Sequence, residues 1–114
     1  MLVGELVDLP GLTLVNSGAE PQRSIESAFC CDLLSLVMSR APAGCAWVTV
    51  MGNVNSVAVA VLADIACVVL AEGAAFDDTA LKRAEEKGVA LFKTDLPVFE
   101  AALSIHSMLG NRDD

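Results

Sequence analysis

Two uninterrupted apolar runs, separated by a polar break and a longer apolar stretch, dominate the middle of the chain. The runs Cys45–Val50 and Cys67–Leu70 consist largely of β-favouring residues. Strands that are apolar at every position are typical of parallel sheets, which are buried on both faces. The segment between the two runs is long enough for a crossover helix. Within it, Met51–Ser56 predicts a loop and Val57–Ala63 is apolar throughout. The pattern therefore predicts two parallel strands joined by a helix.

Shorter apolar segments and turn signals alternate in the N-terminal part of the chain. They predict a short helix, two strands and a second helix, over Val3–Leu9, Leu12–Val15, Ile25–Cys30 and Leu33–Arg40. Asp32 stands where a side chain can cap the N-terminus of the second helix. That helix is apolar nearly all round, and in a domain of this size such a helix is expected to be covered by a partner.

A charged helix and a further strand are predicted after Gly73. Asp77 or Asp78 can cap a helix that runs to Lys87, and Gly88 suits the residue that follows its end. The short apolar run Val89–Phe92 then predicts a strand.

The last helix is expected to begin with a cap at Thr94 or Asp95, with Pro97 tolerated in its first turn. Its predicted buried stripe consists of Val98, Phe99, Ala102, Leu103, Ile105 and Leu109. Strands and helices thus alternate along the chain, which predicts an α/β fold. We expect a three-layer α/β/α sandwich around a mostly parallel sheet of four to five strands, formed by one domain over residues 1–114.

Composition argues against two classes of partner. The 114 residues carry a net charge of −8, with seven basic residues of which Lys82 and Arg83 are the only adjacent pair. Neutralising phosphates requires a basic stripe, so neither nucleic acid nor an anionic membrane surface is an expected partner. Aromatic residues make up only 4%, which also disfavours a surface that stacks nucleobases.

The cysteines bear on compartment and on chemistry. The N-terminus lacks the basic start and long apolar stretch of a signal peptide, so we expect a cytoplasmic protein with reduced thiols. Cys45 and Cys67 lie in apolar strands and are predicted to be buried. Cys31 precedes a helix N-terminus, a position that favours thiol reactivity. Without a Cys-x-x-Cys pair, no metal site is predicted.

Catalysis is not predicted. The only histidine, His106, has no nucleophile or acid near it in the sequence, and a general base needs one within hydrogen-bond reach. The acids that could take part are dispersed along the chain, namely Asp32, Asp64, Glu72 and Asp95. We expect a protein that is not an enzyme and holds no cofactor.

Loops at the carboxyl ends of the strands are the predicted ligand site, because open α/β sheets bind ligands there. The candidate residues are Gly52, Asn53, Asn55, Ser56 and Thr94. Glycine permits close approach to the backbone, the polar side chains supply hydrogen bonds, and Lys93 adds one positive charge. A small anionic or nucleotide ligand fits this set. The competing interpretation is that the asparagine and serine side chains merely cap the helix while the glycine turns the chain.

Several stretches, in order and at matching spacing, resemble the DRTGG domain family over nearly the full chain. They are Asp32–Ser35 with Val37–Met38, Trp47–Val50, Asn55–Ala60, Asp64 followed by a strand and Glu72–Gly73, and Thr94 with Phe99–Ala102. The name-giving segment would fall at residues 22–28, where only Arg23 matches.

The resemblance implies an α/β/α domain similar to the N-terminal domain of the HPr serine kinase. Family members lie beside nucleotide-sensing CBS domains in inorganic pyrophosphatases and in phosphotransacetylases, and free-standing copies occur near hydrogenase genes. It therefore implies a non-catalytic regulatory or dimerisation module, with Leu33–Met38 as the expected homodimer surface. An alternative is a redox or metal-handling accessory protein of hydrogenase-type iron–sulfur enzymes that uses Cys30, Cys31 and Cys45.

Overall fold

The computed structural model describes residues 1–110. A 3₁₀-helix over Val3–Asp8 and a first strand are followed by alternating strands and helices. The elements are β1 (Leu12–Asn16), β2 (Ser27–Cys30), α1 (Leu34–Arg40), β3 (Cys45–Thr49), α2 (Val54–Leu62), β4 (Cys67–Leu70), α3 (Asp78–Lys87), β5 (Ala90–Thr94) and α4 (Val98–Gly110).

Five strands form one sheet in the order β1-β5-β4-β3-β2. Strands β2 to β5 run parallel, and β1 joins the β5 edge antiparallel. Trp47 on β3 stands opposite Val68 on β4, which stands opposite Leu91 on β5. The predicted strand–helix–strand unit with parallel strands is therefore confirmed, as is the α/β fold with a mostly parallel sheet.

Helices cover both faces of the sheet. Val37, Val57 and Ala80, from α1, α2 and α3 respectively, pack with Trp47 and Val68 in one core cluster. The opposite cluster joins α4 and the 3₁₀-helix to the other face of the strands, with Leu6, Val48, Phe92, Ala101 and Ile105 among its members. This is the three-layer arrangement predicted from the sequence.

Helix α4 differs from its predicted stripe. It lies over β2 and β3, and its buried residues are Ala101, Ala102 and Ile105. Phe99 is 69% exposed and Leu103 is 47% exposed, so the prediction that both are buried was wrong. Small alanine side chains allow the helix to lie close to the sheet, and the buried stripe is consequently narrow.

Helix α1 is short and only partly covered. Val37 is completely buried, whereas Leu33, Leu36 and Met38 are exposed. The partner that was expected to cover this helix stays a prediction.

No helix within residues 1–110 combines the length and apolar character needed to cross a membrane.

Candidate functional site

The carboxyl ends of the parallel strands meet at one edge of the sheet, and the loops that follow them are in mutual contact there. The loop after β3 leads into α2, and the loop after β4 passes beside it on the way to α3. The backbone N–H of Asp77 donates to the carbonyl oxygen of Gly52 at 2.9 Å. This bond joins the two loops.

Residues distant in the sequence leave no room for a side chain at position 52. A Cβ at this position would collide with the carbonyl oxygen of Ala75 and lie 2.9 Å from Cδ2 of Leu70. The close approach that the glycine permits is therefore to the backbone of the loop after β4. The backbone of Ala75 lies against Gly52 in the position that its missing side chain leaves open.

Asn53 is the N-cap of α2. Its side-chain oxygen accepts the backbone N–H of Ser56 at 3.1 Å. Ser56 is buried, with its hydroxyl 3.5 Å from the same oxygen, and Asn55 is exposed. The helix begins at Val54, so Asn55 and Ser56 lie in its first turn rather than in the loop, and that predicted boundary was wrong. The capping role considered for the asparagine is confirmed for Asn53.

Thr94 lies at the end of β5 and is 4% exposed. Its hydroxyl oxygen accepts the backbone N–H of Leu96 at 3.1 Å. Thr94 also lines a cleft of about 250 Å³ between the end of β5, the start of β1 and the loop after β4. The lining residues are Gly11, Thr13, Gly73, Ala74, Ala75, Lys93, Thr94 and Asp95. Of the five predicted site residues, Thr94 alone is among them.

Asp32 and Thr49 form a polar link that sequence reasoning assigned differently. Asp32 does not cap α1, since the N-cap position is Leu33 and no side chain bonds there. Its carboxylate accepts the Thr49 hydroxyl at 2.7 Å and the Val50 N–H at 3.1 Å. The link fastens the start of α1 to the end of β3. The one feature of the sequence that indicated this link was Thr49, a hydroxyl residue at the end of an otherwise apolar strand.

Glu72 supplies the cap that was predicted at Thr94 or Asp95. The backbone N–H of Val98, the first residue of α4, donates to the Glu72 carboxylate at 2.9 Å. Glu72 adopts a left-handed backbone conformation, with φ of 61°, which is costly for a residue with a side chain. In this conformation the chain turns after β4, and the carboxylate bonds a helix that begins 26 residues later.

Three of the helix N-termini at this edge, those of α2, α3 and α4, are thus occupied by side chains of the protein itself. The Asp77 carboxylate caps α3 at 2.8 Å from the Ala80 N–H, as predicted, Asn53 caps α2, and Glu72 bonds the first N–H of α4. Free helix N-termini attract anions, and here side chains already fill that role. Lys93 is the one cation that lines the cleft.

The cysteines fall into two environments. Cys45 and Cys67 are buried, as predicted, whereas Cys30 is exposed and Cys31 is partly covered. Desolvation raises the pKa of the Cys45 thiol to about 11 and raises that of Cys67 further. For Cys30, desolvation and the nearby Asp32 carboxylate also raise the thiol pKa.

The strand register separates the cysteines that a metal would need. Cys45 stands opposite Ser27 at the beginning of β2, three residues before Cys30. That offset corresponds to roughly 10 Å along the strand, too far for both sulfurs to bind one ion. Within residues 1–110, no three His, Cys, Asp or Glu side chains are grouped closely enough to hold a metal ion.

Arg23, the residue that matches the name-giving segment, lies at the opposite edge. Its guanidinium group forms a salt bridge with the Asp64 carboxylate at 2.9 Å and donates to the Asp64 carbonyl oxygen at 2.9 Å. Asp64 has a positive φ of 56° and also accepts the Gly44 N–H through its carbonyl. Arg23 therefore holds the loop before β2 against the turn between α2 and β4.

Comparison with known proteins identifies the fold. No protein-family model matches the sequence, and no curated protein matches it. Among solved structures, the chain is similar to the CBS and DRTGG domains of the regulatory region of Clostridium perfringens pyrophosphatase, complexed with its activator diadenosine tetraphosphate. The TM-score is 0.67 at 10% identity, over 93% of this chain and 46% of the other.

This chain thus spans less than half the length of the structure that it matches. At 10% identity the likeness is one of fold, and it confirms the DRTGG-like α/β fold that the sequence resemblance implied.

Proposed function

We propose that the protein is a non-catalytic regulatory module that pairs with a second copy and senses a small polar ligand carrying an anionic group. The likeness to a chain taken from the regulatory region of an enzyme supports a regulatory role. The activator named in that structure is a nucleotide, which supports ligand sensing as the form that regulation takes.

The proposed ligand site is the cleft at the ends of β4 and β5. Lys93 supplies the charge that an anionic group needs, and Thr94 borders the same space. Gly52 supports the site indirectly, because Ala75 rests against it and also lines the cleft. A cleft of about 250 Å³ is somewhat smaller than the roughly 300–1,000 Å³ of pockets for drug-sized ligands. A small metabolite or a single nucleotide moiety suits it better than a dinucleotide.

The proposed pairing surface combines α1 with the end of α2, which contact each other. Leu36 and Met38 on α1 and Leu33 just before it are exposed, and Leu62 on α2 is 72% exposed. Exposed apolar residues that adjoin one another mark interaction surfaces.

Charge favours a second copy as the occupant of this surface. Segment 33–43 contains Arg40 as its only charged residue, and Val54–Leu62 contains none, although the whole chain has a net charge of −8. Two strongly acidic copies can approach only where carboxylates do not face one another, since like charges disfavour contact. The uncharged surface of α1 and α2 meets that condition.

We place the module in the cytoplasm. All four cysteines are free thiols, the state that a reducing compartment maintains. Fractionation of the native host should find the protein with cytoplasmic markers, and recovery with periplasmic or secreted markers would contradict this placement.

Thermal denaturation of the full chain tests the ligand site. The compounds to be screened are adenine nucleotides, acyl phosphates and small carboxylates, amino acids included. A ligand that binds only the native state raises its melting midpoint. We expect at least one compound to do so in the wild-type protein and not in Lys93→Met. A midpoint that no compound raises contradicts the ligand site and leaves a protein-binding role.

Light scattering coupled to size-exclusion chromatography tests the pairing. The wild-type protein should elute as a dimer at micromolar concentration. Leu36→Glu should yield monomers, because the interface would bury an unpaired charge. Val7→Glu is the matched control, since Val7 is exposed to a similar degree but lies on the 3₁₀-helix. A wild-type monomer, or a dimer that Leu36→Glu leaves intact, contradicts the proposed surface.

A further inference from the structure

Two opposite charges line the cleft and do not pair with each other. Lys93 and Asp95 stand two residues apart at the end of β5, and both border the same space. The salt bridges found among residues 1–110 lie elsewhere, on α3 and between the loop before β2 and the turn after α2. In the described part of the chain, each of the two charges is therefore available to a ligand.

The surrounding geometry brings further polar groups to this pair. A Cβ at Gly73 would lie 3.3 Å from the Oδ1 atom of Asp95, so the carboxylate lies beside a residue that itself lines the cleft. Thr13 on β1 is the cross-strand partner of Lys93 and also lines it. The cleft thus combines a cation, a carboxylate and a hydroxyl residue on adjoining strand ends.

We propose that the cleft binds a small zwitterion of the amino-acid type, with its carboxylate on Lys93 and its ammonium group on Asp95. Hydrogen bonds between ionised groups are among the strongest in proteins. Lys93 lies in β5 and Asp95 directly follows the strand, so their Cα atoms are at most about 7 Å apart. The flexible lysine stem can bring its ammonium group to a ligand held at Asp95. The cleft of about 250 Å³ has room for one such molecule.

The inference rests on the proposed function, because it names the ligand class of the same cleft. A phosphate or a nucleotide would use Lys93 and would be repelled by the Asp95 carboxylate. A zwitterion uses both charges, and this complementarity is what favours it over a purely anionic ligand.

The test is titration calorimetry on the full chain with the common α-amino acids. Acetate and methylamine, each carrying one of the two charges, together with inorganic phosphate and adenosine monophosphate, serve as comparison probes. At least one amino acid should bind, whereas acetate and methylamine should not. Lys93→Met and Asp95→Asn should each weaken that binding at least about tenfold. Lys82→Met and Glu85→Gln, which make the same charge changes at exposed positions of α3, should leave it within about twofold.

Each alternative result has a distinct meaning. Binding of phosphate or a nucleotide that Lys93→Met abolishes, without binding of any amino acid, overturns the zwitterion and preserves the proposed function. Amino-acid binding that neither cleft variant weakens overturns the site. No binding by any probe overturns both the zwitterion and the ligand site of the proposed function.

Discussion

Replacing Gly52 by alanine should destabilise the protein by about 2–4 kcal/mol. The added methyl group would collide with the carbonyl oxygen of Ala75, a backbone atom that cannot rotate away, and would press on Leu70. Overpacking of this kind typically costs about 1–3 kcal/mol. Displacing the loop also stretches the bond from the Asp77 N–H to the Gly52 carbonyl, and a hydrogen bond contributes about 0.5–1.5 kcal/mol.

Urea denaturation followed by far-ultraviolet circular dichroism measures this cost. Gly4→Ala is the matched control, because a Cβ there would lie 3.2 Å from a backbone oxygen, that of Pro21, and the neighbour needs to shift only slightly. Gly4→Ala should cost less than about 1 kcal/mol. Since the whole stability of a domain is about 5–15 kcal/mol, the Gly52→Ala effect should be plain in the midpoint.

Hydrogen exchange localises the same effect. In Gly52→Ala, the amides of Asp77 and of the first turn of α3 should exchange faster than in the wild-type protein, while those of α4 should change little. A Gly52→Ala variant as stable as Gly4→Ala, with unaltered exchange at Asp77, would refute the contact between the two loops.

Three further predictions concern Thr49, Glu72 and Cys45. Thr49→Val should cost about 1–3 kcal/mol, because it removes the donor to Asp32 and also the hydroxyl that accepts the part-buried N–H of Met51. A urea midpoint equal to that of wild type would show that these bonds contribute nothing. Glu72→Ala should cost about 0.5–2 kcal/mol through the lost bond to the Val98 N–H at the start of α4. Glu72→Gln keeps an acceptor oxygen and should retain most of this stability. Equal losses in the two variants would instead assign the effect to charge. Burial raises the pKa of the Cys45 thiol to about 11 in the folded protein. As pH rises above the ordinary value of 9, this thiol therefore ionises in the unfolded chain before it does in the folded protein. The stability that the neutral thiol provides is complete below pH 9, and about 1.4 kcal/mol of it is lost by pH 10. Wild type should therefore lose more stability than Cys45→Ala between pH 7.5 and pH 10, and parallel losses in urea titrations would contradict the shift.

Local patterns in the sequence predicted most of the architecture. The continuous apolar strands β3 and β4 could be predicted because burial on both faces leaves no polar position in the run. The N-cap at Asp77 and the left-handed Gly88 that ends α3 could be predicted because each depends on residues within one or two helical turns.

The parts that could not be predicted depend on residues distant in the sequence. Asp32 bonds to a residue 17 positions away, and Glu72 to one 26 positions away, so only the sheet order brings these partners together. Periodicity also overestimated the buried stripe of α4, since Phe99 and Leu103 have apolar side chains at helical spacing yet face solvent. The cleft was missed for the same reason, because Gly11 precedes β1 and Thr13 lies in it, far before Lys93 in the sequence.

Hydrogen exchange of the wild-type protein at increasing concentration is the most direct test of the proposed pairing surface. The account predicts that amides of α1 and of the end of α2 gain protection as concentration rises into the micromolar range, and that Leu36→Glu abolishes this gain. Protection that does not depend on concentration, or that increases only at α3 or α4, would contradict it.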